Sequence, residues 1–259
     1  MSRGVVVATL EDALHFTPSQ RVEIEAAYEE YERDARIRGI PIMGEGRIFT
    51  VPEAQFVCPP MVIPKHWPRI CGIDFGFDHP FAAVWLAWDR ESDCIYVYDC
   101  WRSAGTLPAL HVHTIRTRGA WIPVAWPADG LGAEKSTGAS LLSAYRGGNN
   151  VPGLELCTQH AQWPRQTEDE AEQSLMSVER GILEMRERLA GGRWRVFSHC
   201  GPWLDEYRTY HRKNGKIVKL QDDTLSASRY GLMMIRYALT PPVEDRPTAP
   251  FIMDSEIGF

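Results

Sequence analysis

Three apolar runs separated by short turns dominate the middle of the chain. Arg69-Ile70-Cys71-Gly72-Ile73-Asp74-Phe75-Gly76 carries one acid and ends in a glycine turn; runs over 81–88 (FAAVWLAW) and 94–101 (CIYVYDCW) follow. Apolar, β-branched and aromatic positions bounded by Asp, Gly, Pro and Ser predict strands joined as an antiparallel meander. An Asp inside the first of these strands is costly to bury unless a cation or hydrogen-bond donors meet it, which singles out Asp74.

Elsewhere the period changes to that of helices. Thr17, Pro18 and Gln20 read as N-cap, first helical position and capping-box partner of a Glu/Arg-rich helix reaching to about Arg38. Pro41 to Pro68 is punctuated by prolines and predicts an extended arm. Leu107-Pro108 opens a helix ending at Gly119; it sets His111 and His113 on different faces, so packing or solvent suits them better than ligation. Ile122 to Ala128 is a short apolar strand ending in Asp129-Gly130, and Ser136 or Thr137 is placed to cap a helix over 138–145. Residues 154–157 read as a short parallel strand. Thr167 with Glu170 forms a capping-box pattern before the apolar stripe Leu175, Val178, Ile182, Met185 and Leu189, predicting one long helix closed by Gly191-Gly192. Then come a strand over 194–197, a helix from Gly201 to Tyr210, an Asn-Gly hairpin at 213–216, and a last helix opened by Asp222-Asp223-Thr224 and ended before Pro241-Pro242. The order of elements predicts an α/β fold, a mixed central sheet with helices on its faces.

Composition narrows the class. Of 259 residues 44% are hydrophobic, enough for a packed core, and the net charge of −6 means that any nucleic-acid contact must come from a local basic patch. The six cysteines include no C-x-x-C pair, which removes zinc-finger spacing and reads as reduced core thiols. No apolar stretch reaches membrane-span length and no secretory leader is evident, so a soluble protein with no membrane partner is expected.

The acids then gain meaning from their order. A mixed sheet can bring Asp74 close to the strand-end Asp129, and the helix opened by Asp222 and Asp223 can pack beside them. Carboxylates converging in this way can hold Mg²⁺ or Mn²⁺, which prefer oxygen ligands. Two such ions roughly 3.5–4 Å apart can clamp the attacking and leaving oxygens of a phosphodiester. Each acid also has an ordinary reading: Asp74 in a turn or facing solvent, Asp222 or Asp223 as a helix N-cap.

Three segments, "GIDFGFDHP" around Asp74, "PADG" around Asp129 and "DDTLSASRY" over 222–230, resemble the nuclease domain of the large terminase subunit of tailed double-stranded DNA phages. The upstream stretch from Glu11 to Glu53 is similar to the linker joining the packaging ATPase to that nuclease. The resemblance implies an RNase H-like fold and a metal-dependent endonuclease that cuts concatemeric viral DNA at packaging initiation and termination. It implies Asp74, Asp129 and Asp222 as the catalytic and metal-holding acids, with Asp223 the rival for the third place and Asp78 a further metal candidate. His79 stands beside it with no role assigned, and Ser226 occupies a position where many members carry another Asp. The mechanism that the resemblance implies has two Mg²⁺ or Mn²⁺ ions activating a water that attacks the phosphorus, with a 3′-oxyanion leaving.

The same resemblance implies double-stranded DNA as substrate, small subunit and portal protein as partners in the full motor, and the host cytoplasm as location. The phosphate-binding loop of the family's ATPase has no counterpart here, so the sequence reads as the nuclease part cut from a longer protein. Its expected layout is a linker helix and arm over 1–64, the nuclease over 65–240 and a loose tail over 241–259, monomeric in isolation. For DNA contacts the candidates are Lys135, six residues after Asp129, and the hairpin lysines Lys213, Lys216 and Lys219; Arg146, Arg165 and Arg212 extend the list. Two other classes compete: another RNase H-like nuclease of resolvase or transposase type, and a catalytically silent docking domain of the motor.

Overall fold

The computed structural model describes residues 9–10, 12–13, 15–27, 46–76, 79–132, 140–148, 151–213, 215–218 and 221–242. Helix α1 covers Pro18–Ala27, and its start is the expected capping box. The Thr17 amide donates to Gln20 Oε1 at 2.9 Å and the Gln20 amide to Thr17 Oγ1 at 3.4 Å. The continuation of that helix to Arg38 lies outside the described residues.

The proline-rich arm is not only a wrap. It contains a one-turn helix, α2 (Glu53–Phe56), and a two-residue strand, β1 (Val57–Cys58). Strands β2 (Arg69–Asp74), β3 (Phe81–Asp89) and β4 (Cys94–Ser103) form the meander. After helix α3 (Pro108–Arg116) comes β5 (Val124–Ala125), continued by a 3₁₀ turn at Ala128–Leu131. Short helices α4 (Ser143–Arg146) and α5 (Glu172–Leu175) precede the long α6 (Val178–Ala190), strand β6 (Trp194–Phe197) and helix α7 (Gly201–Thr209). The hairpin β7 (Arg212–Lys213) and β8 (Lys216–Ile217) leads to α8 (Asp223–Met233) and a final 3₁₀ turn at Ile235–Tyr237.

The sheet order is β1-β6-β4-β3-β2-β5. Pairs β2/β3 and β3/β4 are antiparallel; β1/β6, β4/β6 and β2/β5 are parallel. Seven consecutive buried residues in β3, Phe81 to Ala87, show a strand covered on both sides. Along β2 the residues alternate. Gly72 and Asp74 face α8, where an added Cβ on Gly72 would lie 1.9 Å from the Ala227 carbonyl oxygen. On the opposite face the Phe81 ring stacks against His111 of α3 at 3.9 Å. Ile48, Phe49, Phe56 and Ile63 join the same hydrophobic core as Ile70 and Trp85, so residues on both sides of the expected 64/65 border pack together.

Three expected helix and strand boundaries differ. The long helix begins at Val178, where Ser177 Oγ accepts the Arg180 amide, and not after Thr167. Glu170, expected as a capping-box acid, instead accepts the Gln166 amide at 2.8 Å and an Arg180 guanidinium N–H at 2.8 Å. The Trp163 amide bonds to Leu175 O, which ties the intervening segment down as a loop. Of the helix expected over 138–145, its Ser136 or Thr137 cap and residues 138–139 lie outside the described residues, and the described part holds a single helical turn, Ser143–Arg146; the strand expected at 154–157 is one parallel bridge between Val124 and Leu156.

Candidate functional site

The close approach of α8 to β2 decides where the acids go. Glycine at 72 removes the side chain that would hold the helix away, and Gly231, one helical turn beyond Ala227, sits over Leu86 and the Gly72 amide. The N-terminus of α8 therefore lies beside the C-terminal end of β2. Asp74 is the last residue of β2 and not a mid-strand residue. The parallel neighbour β5 pairs Ala125 with Gly72, so Asp129 emerges on the same edge, held in its 3₁₀ turn; a Cβ on Gly130 would meet the Phe75 ring at 2.7 Å.

Asp74, Asp129, Asp222 and Asp223 line one cleft of about 660 Å³, together with His79, Arg102, Tyr210, Gln221, Ser226, Arg229 and Tyr230. Burial pushes the Asp74 carboxyl up to about 8; Arg229 opposes that rise, while the charges of Asp223, Asp222 and Asp129 add to it. All three other aspartates thus act on Asp74 through space. Among the described residues no three His, Cys, Asp or Glu side chains close into a ready-made metal cage. The donor set nevertheless suits a hard divalent cation: carboxylate oxygens in excess of nearby cations, at the mouth of a buried strand end.

Two arginines temper this acidity. Arg102 Nη2 lies 2.7 Å from Asp223 Oδ2, and its Nε lies 3.6 Å from Glu206 Oε1. Arg229 is buried on α8, with its guanidinium 4.5 Å from the centroid of the Tyr230 ring. A Cβ on Gly181 of α6 would meet Arg229 Cδ at 2.4 Å and Cγ at 2.5 Å, so that glycine opens the channel through which the arginine stem passes. Just before the acidic pair, Gln221 adopts φ 54°, a left-handed conformation that is uncommon for a residue with a side chain.

The remaining sequence candidates separate. His79 lines the cleft. Asp78, Lys135 and Lys219 lie outside the described residues. Lys213 and Lys216 are exposed on the expected hairpin; its Ile217, and neither lysine, lines the cleft. Arg212 is engaged by Glu179. His111 is a core residue, one of the two placements, packing or solvent, that its helical position left open. Its Nε2 is 2.6 Å from Thr106 Oγ1 and its Nδ1 2.8 Å from Tyr145 Oη.

Arg102 and Glu206 were not found by motif reading, and Arg229 stands within the "DDTLSASRY" segment without having been given a role. For Glu206 a signal existed: it follows Trp203 by three residues and precedes Tyr207 and Tyr210, so it stands on the apolar face of its helix. No helix among the described residues is long and apolar enough to cross a membrane.

A mixed six-stranded sheet with helices on both faces and acids at one edge defines an RNase H-like domain. The chain belongs to the family described as "Terminase RNaseH-like domain", whose model matches residues 71–235. It is 40% identical over 255 residues to the large terminase subunit of Salmonella phage P22, covering 96% of this chain and 49% of that protein. It is 41% identical over 234 residues to the large terminase subunit of Enterobacteria phage LP7, covering 90% of this chain and 47% of that protein. The chain thus spans about half the length of these relatives. Among solved structures it resembles the P22 large terminase nuclease domain, with a TM-score of 0.66 and 38% identity over 76% of this chain and 96% of that one. The large terminase of a thermophilic bacteriophage shares the fold at 15% identity, with a TM-score of 0.53 over 89% of this chain and 55% of that one.

Proposed function

We propose that this chain is a metal-dependent endonuclease that cleaves concatemeric double-stranded viral DNA during genome packaging. The observation that carries the reading is the cleft in which Asp129, Asp222 and Asp223 all bear on the half-buried Asp74. Membership of the terminase family and likeness to the P22 nuclease domain support the same reading.

In this reading Asp74, Asp129 and Asp222, with Asp223 as the close neighbour, supply the oxygens that hold two Mg²⁺ or Mn²⁺ ions. When bound, such ions polarise the phosphodiester and stabilise charge on the leaving oxygen. The chain's own residues set the stage. Desolvation at the end of β2 leaves Asp74 costly to ionise without a cation. Arg229 keeps positive charge at the back of the cleft, and Arg102 holds one oxygen of Asp223. Lys135 and the hairpin lysines Lys213, Lys216 and Lys219 contact the DNA backbone, and Asp78 adds a further oxygen donor. The reaction takes place in the host cytoplasm, where the small subunit and portal protein of the full motor present the DNA.

Plasmid nicking in Mn²⁺, with and without EDTA, tests the assignment. Wild type nicks only with free Mn²⁺, and Asp74→Ala does not. Absence of cleavage by wild type under any divalent metal overturns the reading in favour of a silent docking domain.

A further inference from the structure

Helix α8 begins with Asp222 at its N-cap, so the backbone amides two and three positions on, Thr224 and Leu225, are the donors that an N-cap side chain normally satisfies. Asp222 makes no such side-chain cap bond. Both amides donate instead to Glu206 Oε2, at 2.7 Å for Thr224 and 3.0 Å for Leu225, and the Thr224 hydroxyl donates to the same oxygen at 2.6 Å. Glu206 comes from α7, is 1% exposed, and has its second oxygen 3.6 Å from Arg102 Nε. Arg102 is itself set by the sheet: it pairs across β3 with Ala82, which pairs with Asp74, so Asp74, Ala82 and Arg102 stand in one row on one face.

We infer that Glu206 is a positioning residue that takes over the cap of α8 and thereby keeps Asp222 out of its own helix and turned toward the cleft. An aspartate preceding a helix ordinarily folds back on the first-turn amides, a bond that stabilises the helix. That bond competes with any use of the same oxygens as ligands. A buried carboxylate supplied from another helix removes the competition, because the amides are already satisfied. Arg102 braces the arrangement by offsetting the charge of both Glu206 and Asp223. The inference rests on the proposed metal-holding role of Asp222, and the two fail in different ways.

A double-mutant cycle in Mn²⁺ affinity tests it, using the full 259-residue chain and Mn²⁺ followed by electron paramagnetic resonance. Thermal melting of each metal-free variant runs alongside. Glu206→Ala is expected to weaken Mn²⁺ binding about tenfold or more, the scale on which outer partners of ligands act. Asp222→Ala weakens it similarly. The double variant is no weaker than Asp222→Ala alone, since Glu206 acts only through Asp222. Glu206→Gln keeps a carbonyl oxygen for the amides and recovers most of the affinity that Glu206→Ala loses.

Additive losses in the double variant overturn the inference, as does wild-type affinity in Glu206→Ala. Should Glu206→Ala not fold, a folded Glu206→Gln decides. Affinity near wild type upholds positioning, and a loss as large as that of Asp222→Ala overturns it by making the charge of Glu206 itself part of the site. If wild type binds no Mn²⁺, the metal reading falls before the cycle begins.

Discussion

The Cα of Gly72 lies so close to the carbonyl of Ala227 that a Cβ there would sit 1.9 Å from the oxygen and 2.8 Å from the Gly231 amide nitrogen. Both obstacles are backbone, so neither can rotate away. This contact lays α8 directly on β2 and sets the Asp222-Asp223 end of the helix beside Asp74. Over-packing costs about 1–3 kcal/mol where side chains can adjust. With backbone on the far side, Gly72→Ala is expected at the upper end of that range, lowering Tm by roughly 6–12 °C in a chain of this size. Any folded fraction has α8 displaced and cleaves poorly. Differential scanning calorimetry checks the first point, and an unchanged Tm contradicts it.

Asp74→Asn separates stability from function. The substitution removes a carboxylate whose ionisation burial opposes, so the metal-free variant is at least as stable as wild type. Saturating Mn²⁺ raises the Tm of wild type, by about 2.7 kcal/mol of stabilisation at a hundred times Kd. The variant shows little or none of this rise and has no nicking activity. A Mn²⁺-induced shift as large as wild type's removes Asp74 from the ion site.

Gly181→Ala probes Arg229 from a distance. Alanine in a helix interior normally stabilises by about 0.5–1 kcal/mol over glycine. Here the new methyl falls on Arg229 Cγ and Cδ, and the flexible stem has to shift. The guanidinium is then displaced from the cleft. The expected outcome is a Tm no higher than wild type with nicking reduced about tenfold, a change of roughly 1.4 kcal/mol in the barrier. A stabilised, fully active variant contradicts the role given to Arg229.

His111 sets an acid limit on stability. Burial pushes its imidazole down to about 4, below the value of about 6.5 expected in the unfolded chain. The unfolded state therefore binds the proton first as pH falls. His111 contributes stability above about pH 6.5 and loses it down to about pH 4, at up to roughly 1.4 kcal/mol per pH unit. Asn at this position keeps polar atoms for Thr106 and Tyr145 without the titration. The stability advantage of wild type over His111→Asn therefore shrinks as pH falls from 6.5 to 4, measurable by urea denaturation at several pH values. Parallel curves contradict the assignment.

Much of this architecture was legible from local pattern. The meander is written in apolar runs with short turns, and the order of Asp74, Asp129 and Asp222-Asp223 pointed to a single edge. The parts that were not legible depend on tertiary contacts. Val57 and Cys58 form a strand only because the parallel neighbour Val196-Phe197 is there to receive them. Thr167 and Glu170 have capping-box spacing, but Arg180 and the Gln166 amide draw Glu170 into a loop. Asp222 does stand at the N-cap, but its side chain does not bond the first-turn amides, because a residue sixteen positions earlier in sequence, Glu206, reaches them. Spacing reports which groups a segment offers, and packing decides which of them are taken.

The central claim is that acids remote in sequence share bound divalent ions at the edge formed by β2, β5 and α8. A crystal of this chain soaked in Mn²⁺, with an anomalous difference map, tests it most directly. The account predicts Mn²⁺ peaks bounded by carboxylate oxygens of Asp74, Asp129 and Asp222 or Asp223. A map with no peak in that cleft at saturating Mn²⁺, or with peaks only elsewhere on the chain, contradicts it.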